Sequence, residues 1–326
     1  MATKNEQGEK RINAKRIVSW VGSALMLASL GFIGRRLFLS AEDVDFSVFA
    51  NPMIVFALLS VALLEGVGIV LASVNYRALV ANVSGVKVKW PLALVVYTMS
   101  NLYKYIPGGV MYVLGRNKMA VDTDELSHAK VALSTVMEGI FIALAAVTVA
   151  AAFSWEHSTY YLRQQEIPAW VGLIAVIVVS AALPILFFKR KALLALWRDM
   201  KRDAKDLRFV IIIRRFVFAL VLMILWAFTF LAVLMLLGQE VTAGLGVTIM
   251  GLYMLSWLAG FITPGAPSGL GVREAVMVMF MAGTVNEGIL ISAMVMHRVL
   301  TVVGDVSAYG MALAYAGGKK LTEREA

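Results

Sequence analysis

The stretches KYIPGGVMYVLGR (Lys104–Arg116) and FITPGAPSGLGVRE (Phe261–Glu274) decide the fold of this chain. Each interrupts an apolar run with a Pro-Gly pair, and each places an arginine nine residues after its proline, Arg116 in the first and Arg273 in the second. Proline and glycine are the residues that most strongly break a regular helix. The same interruption, made once in each half of the chain, predicts two related helical breaks.

The sequence around these breaks is too apolar for a soluble protein. Of its 326 residues 60% are hydrophobic and 16% are charged, and the mean hydropathy is +0.80. A soluble domain of this length cannot bury so much apolar side chain, whereas a protein in a bilayer does not need to. The sequence contains no cysteine, which excludes disulfides and thiolate metal sites. We therefore expect an integral membrane protein.

The apolar stretches fall into two length classes. A helix needs about 20 apolar residues to cross a bilayer. Pro91–Ile106 and Val247–Ile262 are shorter, at about 16 residues each, and both run directly into a Pro-Gly pair. Six other stretches are long enough to be predicted as full spans: Ile17–Leu39, Pro52–Tyr76, Val131–Phe153, Ala169–Phe188, Phe216–Leu237 and Ile289–Ala316.

Lysine and arginine predict the orientation, because they concentrate in cytoplasmic segments of membrane proteins. They cluster in the two terminal tails, in residues 77–90 and in residues 189–208. Residues 40–51 contain none, and residues 154–168 contain one. Both termini are therefore predicted to be cytoplasmic, and residues 238–246 are predicted to face outside. The net charge of +9 reflects this orientation and not nucleic-acid binding.

This orientation leaves the two short stretches without a crossing. Residues 91–118 must enter from the cytoplasm and return to it, and residues 247–283 must do the same from outside. We expect two re-entrant hairpins that fold at Pro-Gly and meet near the midplane. The predicted fold is an all-α integral membrane protein with about eight hydrophobic segments, six full spans plus two re-entrant helical hairpins in inverted repeats. A kinked full-length span is the alternative for either break taken alone.

Broken helices at matching positions of inverted repeats indicate the binding site of a transporter. Non-helical backbone at membrane depth must line protein or a polar cavity, and helix N-termini at the tips favour an anion. Arginine suits bidentate contact with phosphate, although structural pairing with an acid is the alternative role for Arg116 and Arg273. The predicted substrate-binding residues are Lys104, Pro107, Gly108, Gly109, Arg116, Glu138, Pro264, Gly265, Gly269, Gly271, Arg273, Glu274, Arg298 and Asp305.

Intramembrane acids have several possible roles. Glu65, Glu138 and Asp305 fall within predicted spans, where ionisable residues are costly and are functional candidates. Each acid is predicted either to form a structural ion pair or to bind a cationic headgroup or a coupling proton. One such pair would join Arg273 to Glu138 or to Asp305.

Signatures of catalysis do not occur in the sequence. It has no HExxH, no GxSxG and no nucleotide-binding loop after a strand, and its three histidines are scattered. We expect no enzymatic activity, no cofactor, no metal and no nucleic-acid partner.

Three motifs carry a resemblance to a known family. NLYKYIPGGVMYVLGR, TPGAPSGLGVREA and HRVL (His297–Leu300) resemble the lysylphosphatidylglycerol synthase transmembrane, flippase-like family, over roughly residues 15 to 316. That family usually reads Pro-Gly-Gly-x-Gly-x-Arg-Glu at the second motif, so PGAPSGLGVRE departs at the turn and retains Arg273 and Glu274. Glu138 falls where the family tends to place an acid.

The resemblance implies lipid translocation by a stand-alone member without the soluble synthase domain. We expect a flippase for an anionic or zwitterionic phospholipid or a polyprenyl-phosphate lipid, in the cell membrane, with the bacterial inner membrane as its location. One alternative is a membrane component of lipid-linked sugar or envelope glycolipid synthesis, partnered with a separate glycosyltransferase or synthase. Another is a small-solute transporter on the same scaffold. The predicted domains are a cytoplasmic tail (1–16), one transmembrane domain (17–316) and a second tail (317–326).

Overall fold

The computed structural model describes residues 50–105, 112, 115–118, 126–164, 209–263, 269 and 271–317. These residues form seven α-helices, and no strand occurs among them. The helices are α1 (Pro52–Ser84), α2 (Trp90–Leu102), α3 (His128–Gln164), α4 (Phe209–Leu236), α5 (Ala243–Ile262), α6 (Val272–Met281) and α7 (Glu287–Gly317).

Five of these helices, α1, α3, α4, α5 and α7, are long and apolar enough to cross a membrane. Large apolar side chains such as those of Phe56 and Leu63 lie exposed on α1, as lipid-facing residues do. The protein is therefore a multi-pass membrane protein. The helices α1, α3, α4 and α7 cover four of the predicted spans, and the other two, Ile17–Leu39 and Ala169–Phe188, lie outside the described residues.

The two short stretches differ from each other in length. The first forms α2, whose 13 residues cover about 20 Å, less than the roughly 30 Å hydrocarbon core. A 3-10 turn, Tyr103–Tyr105, follows it. The second forms α5, which begins at Ala243 and not at the predicted Val247, and is long enough to cross. The Thr242 hydroxyl accepts the Leu245 N–H at 3.4 Å and caps this earlier start.

The predicted tips of both hairpins, Pro107–Gly109 and Pro264–Gly265, lie outside the described residues. On either side of the second tip, α5 and α6 pack against each other. The helix α2 packs against α1 and α7. The described arms of both motifs therefore lie within the helical bundle.

Glycine allows α1 and α7 to approach closely. A Cβ on Gly304 would lie 2.8 Å from the Ala62 carbonyl oxygen and 3.0 Å from the Gly66 nitrogen. Backbone contact of this kind between membrane helices requires small residues. The contact sets Glu65 of α1 directly against α7.

Candidate functional site

Arg116 lies in an aromatic cage on the return side of the first Pro-Gly motif. Its guanidinium carbon lies 4.3 Å from the Tyr76 ring centroid, 4.4 Å from that of Tyr97 and 4.2 Å from that of Tyr112. Its Nη1 forms an ion pair with Glu138 of α3, and the arginine is 0% exposed. A buried cation is tolerated because the carboxylate and the three ring faces replace its water.

Hydroxyl groups complete the surroundings of Glu138. The Tyr97 hydroxyl donates to its Oε1 at 2.9 Å, and the Tyr112 hydroxyl donates to its Oε2 at 3.4 Å. Glu138 is 3% exposed, so it faces the protein interior beside the first motif. The structure thus joins two predicted site residues as a buried ion pair, the arrangement expected for structural pairing. A phosphate contact by Arg116 remains a prediction.

Asp305 connects α7 to the segment before the first motif. Its carboxylate accepts hydrogen bonds from Asn101 Nδ2 at 2.7 Å and from the Tyr105 hydroxyl at 2.5 Å. Lys104 Nζ lies 2.6 Å from the same carboxylate. The aspartate is 1% exposed, whereas the Lys104 side chain is 26% exposed. The predicted residues Lys104 and Asp305 therefore form one ion pair.

A second pair connects α7 to the second motif. Arg298 Nε donates to Glu274 Oε1 at 2.5 Å, and Arg298 Nη2 donates to the Gly269 carbonyl at 3.2 Å. The Gly271 N–H donates to Glu274 Oε2 at 2.7 Å, which caps the start of α6. Gly269 and Gly271 have φ of +70° and +82°, a region that L side chains rarely adopt. The glycines of GLGVRE are therefore required by its turn.

Glu65 lies beside His297 at the centre of the bundle. His297 Nε2 lies 3.3 Å from Glu65 Oε1 and 3.1 Å from the Thr229 hydroxyl. That hydroxyl donates to Glu65 at 2.5 Å, and the Tyr253 hydroxyl lies 3.2 Å from His297 Nδ1. The four side chains come from α1, α4, α5 and α7, and all four residues are buried.

Arg273 of α6 differs from these charges in its surroundings. It forms no hydrogen bond or ion pair within the part of the chain that the structure describes, and its Nε is buried and unsatisfied. Its guanidinium carbon lies 5.6 Å from the Trp257 ring centroid. The residue is partly exposed. The alternative that paired Arg273 with Glu138 or Asp305 is wrong, since these acids pair with Arg116 and Lys104.

Arg273 also packs tightly against two glycines. A Cβ on Gly260 would lie 2.8 Å from Arg273 Cγ, and a Cβ on Gly269 would lie 3.0 Å from Arg273 Nε. The missing side chains thus make room for the arginine stem. The Gly260 contact places Arg273 against α5, the helix whose Tyr253 contacts His297.

Uncharged partners of the charges were not predicted from the sequence. Tyrosine, threonine and asparagine in an apolar helix give no distinctive pattern, and the cage forms only when distant helices meet. His297 was noted only within its motif. The residues missed are Tyr76, Tyr97, Asn101, Tyr105, Tyr112, Thr229 and Tyr253.

Together these features define a multi-pass α-helical membrane protein whose two interrupted segments are tied to the bundle by buried ion pairs. The chain belongs to the family described as Lysylphosphatidylglycerol synthase TM region, which matches residues 19–306. A search of curated proteins finds no match. The family membership indicates a membrane-lipid-related role and contact with lipids.

Proposed function

We propose that the protein is a lipid flippase that moves an anionic or zwitterionic phospholipid, or a polyprenyl-phosphate lipid, between leaflets. Arg273 contacts the phosphate of that lipid. The observation that carries the proposal is Arg273, a partly exposed residue that forms no ion pair with an acid in the described ranges. The carboxylates of Glu138, Glu274 and Asp305 each have a different cationic partner.

An unpaired arginine in the interior of a membrane protein is energetically unfavourable. Removing a charge from water costs several kcal/mol unless a partner replaces the water. A phosphate provides two oxygens that match the planar guanidinium, and it carries the opposite charge. Arg273 is also the second residue of α6, near the positive end of that helix. A lipid phosphate is therefore the partner that fits this position.

The lipid path runs between the two motifs, as re-entrant hairpins of inverted repeats would allow. Two observations support this arrangement. The helix α2 is too short to cross the hydrocarbon core and ends just before the first motif. The helices α5 and α6 pack together on either side of the second motif, as the two arms of a hairpin would. Both termini are cytoplasmic, in a bacterial inner membrane.

The protein acts as a transporter and not as an enzyme, since moving a lipid between leaflets breaks no covalent bond. The buried pairs around Asp305 and Glu274 hold the two motifs against α7, so that Arg273 is presented at a fixed position. Such preorganisation is what a binding site inside a membrane requires.

Leaflet exchange in proteoliposomes tests this function. The purified protein is reconstituted with fluorescent phosphatidylglycerol, phosphatidylethanolamine or a labelled polyprenyl phosphate, and the fraction accessible to an external quencher is followed. We expect exchange of at least one phosphate-bearing lipid well above that of protein-free vesicles. Exchange at the protein-free rate for every labelled lipid would refute the proposal.

A further inference from the structure

Glu65 and His297 form a pair in which both partners are buried. Glu65 is 3% exposed and His297 4%, and four helices supply the surrounding side chains. Both residues lie well inside their helices, α1 and α7. An acid and an imidazole in contact at this depth are costly to keep and are the chemistry of intramembrane proton sites. The phosphate contact proposed above does not use them.

The hydrogen-bond partners assign the protonation pattern of the imidazole. The Thr229 hydroxyl has one hydrogen, which Glu65 Oε1 or the Trp226 carbonyl can accept, so the tautomer that fits carries its hydrogen on His297 Nε2 and donates it to this hydroxyl. In the neutral ring Nδ1 is then an acceptor, and the Tyr253 hydroxyl donates to it. Both ring nitrogens are satisfied in this neutral form.

One added proton can be accommodated at the same place. It bonds to the Nδ1 lone pair of His297, and the Tyr253 oxygen, which has free lone pairs, becomes the acceptor when its hydroxyl rotates. The imidazole becomes cationic beside the Glu65 carboxylate, and the charge of the pair rises from −1 to zero. No other side chain in the described part of the site has to move. The geometry therefore fits both protonation states.

Charged and titratable groups surround the pair on several elements. The helix α4 contributes only the neutral Thr229, and α5 contributes Tyr253. The Tyr253 hydroxyl contacts His297, and Gly260, about two turns further along α5, packs against Arg273. The pair and Arg273 therefore both lie against α5. The groups facing this region are Tyr105 from the turn after α2, Tyr253 from α5, Arg273 and Glu274 from α6, and Arg298 and Asp305 from α7.

We propose that Glu65 and His297 form a proton-binding site, and that its occupancy is coupled to anion binding at Arg273. When the pair is deprotonated, its negative charge competes with a phosphate for the field of Arg273. Protonation removes that charge, so proton binding strengthens anion binding. By thermodynamic linkage, anion binding strengthens proton binding by the same factor. The proton site stands on the geometry alone, whereas the coupling rests on the proposed lipid-phosphate contact.

Nuclear magnetic resonance of ¹⁵N-labelled histidine tests the proton site directly. The chain has three histidines, and the His297→Gln variant assigns the signal of interest. Spectra are recorded over a series of pH values, and the proposed site predicts that the His297 ring nitrogens change protonation state within that series. Tyr253→Phe, which keeps the pair and removes the acceptor for the added proton, should alter this change of protonation state. If the His297 ring keeps the same protonation state at every pH measured, the proposal of a proton site is overturned.

Proton uptake tests the coupling. Dihexanoylphosphatidylglycerol is added to the wild-type protein in weakly buffered detergent solution containing a pH indicator. We expect net uptake of protons in the wild type and in His157→Gln, and its loss in His297→Gln. Typical couplings of about 5- to 150-fold predict a several-fold tighter apparent affinity at low pH.

The outcomes separate the two proposals. Binding of the lipid without proton uptake overturns the coupling and leaves the lipid contact supported. Failure of the lipid to bind overturns the coupling to phosphatidylglycerol, whereas the proposed function is overturned only if every labelled lipid also exchanges at the protein-free rate. In that case titration of His297 still supports the proton site, because the magnetic resonance measurement needs no lipid.

Discussion

At the scale of the residue, the interior charges have distinct roles according to their partners. Arg116, with Glu138, is fully enclosed, whereas Arg273 is partly exposed and unpaired in the described chain. Both arginines stand nine residues after a Pro-Gly proline, so sequence spacing alone makes them equivalent. Their surroundings, which come from other helices, differ: Arg116 is paired with an acid, whereas Arg273 forms no ion pair with a described residue.

The Arg116–Glu138 pair predicts strong coupling between two substitutions. Glu138→Gln leaves a buried cation without its counter-charge, and we expect it to lower the free energy of unfolding by about 3–5 kcal/mol. Arg116→Gln should lower the free energy of unfolding by a similar amount, because it leaves the buried Glu138 carboxylate without its cation. The double variant should cost much less than the sum, because neither charge is left unpaired. Thermal unfolding in detergent measures all three, and additive costs would show that the pair does not interact as described.

At the scale of the element, close helix contacts position the charges. The contact between Gly304 and α1 sets Glu65 beside α7, and Gly260 and Gly269 make room for the stem of Arg273. Single glycines in an apolar helix are common, so the sequence does not indicate which of them allow two helices to pack closely. The structural roles of these glycines therefore became evident only from the packed helices.

Gly304→Ala tests the α1–α7 contact. The added methyl would meet backbone atoms of α1 at 2.8 and 3.0 Å, and backbone cannot turn aside as a flexible side chain can. We expect a loss of about 1–3 kcal/mol in stability from this overpacking. Gly310→Ala, on the same helix with nothing within 4 Å of the added Cβ, is the matched control and should be neutral or slightly stabilising. Equal effects at both positions would contradict the close approach.

Four predicted spans agree with long helices because a continuous apolar run of more than 20 residues has few other structures available. The start of α5 was predicted four residues late, because the hydroxyl of Thr242 caps the helix ahead of the most apolar stretch. The sequence singles out the charged residues because ionisable groups in apolar helices stand out. The sequence does not predict which charges pair, because Arg116 contacts Glu138, and Lys104 contacts Asp305, only through tertiary packing.

At the scale of the whole molecule, the two motifs define the proposed architecture. The bundle ties both of them to α7, the first through Asp305 and the second through Arg298. Because α7 contacts both interrupted segments, a movement of one segment can be transmitted to the other through this helix.

Cysteine labelling tests the inverted arrangement. The chain has no native cysteine, so Lys118→Cys and Thr284→Cys each introduce one exposed thiol, beyond the first and the second motif respectively. If both motifs are re-entrant, an impermeant thiol reagent should label position 118 from the cytoplasmic face and position 284 from the external face. Labelling of both from the same face would exclude the inverted repeat.

The most direct measurement of the central claim is leaflet exchange of fluorescent phosphatidylglycerol by Arg273 variants in proteoliposomes. Arg273→Gln should reduce exchange to the protein-free rate, and Arg273→Lys, which keeps the charge and loses the bidentate fork, should give an intermediate rate. Arg214→Gln, which removes an exposed charge from α4, should exchange as the wild type does. Wild-type exchange by Arg273→Gln would contradict the assignment of Arg273 as the phosphate contact.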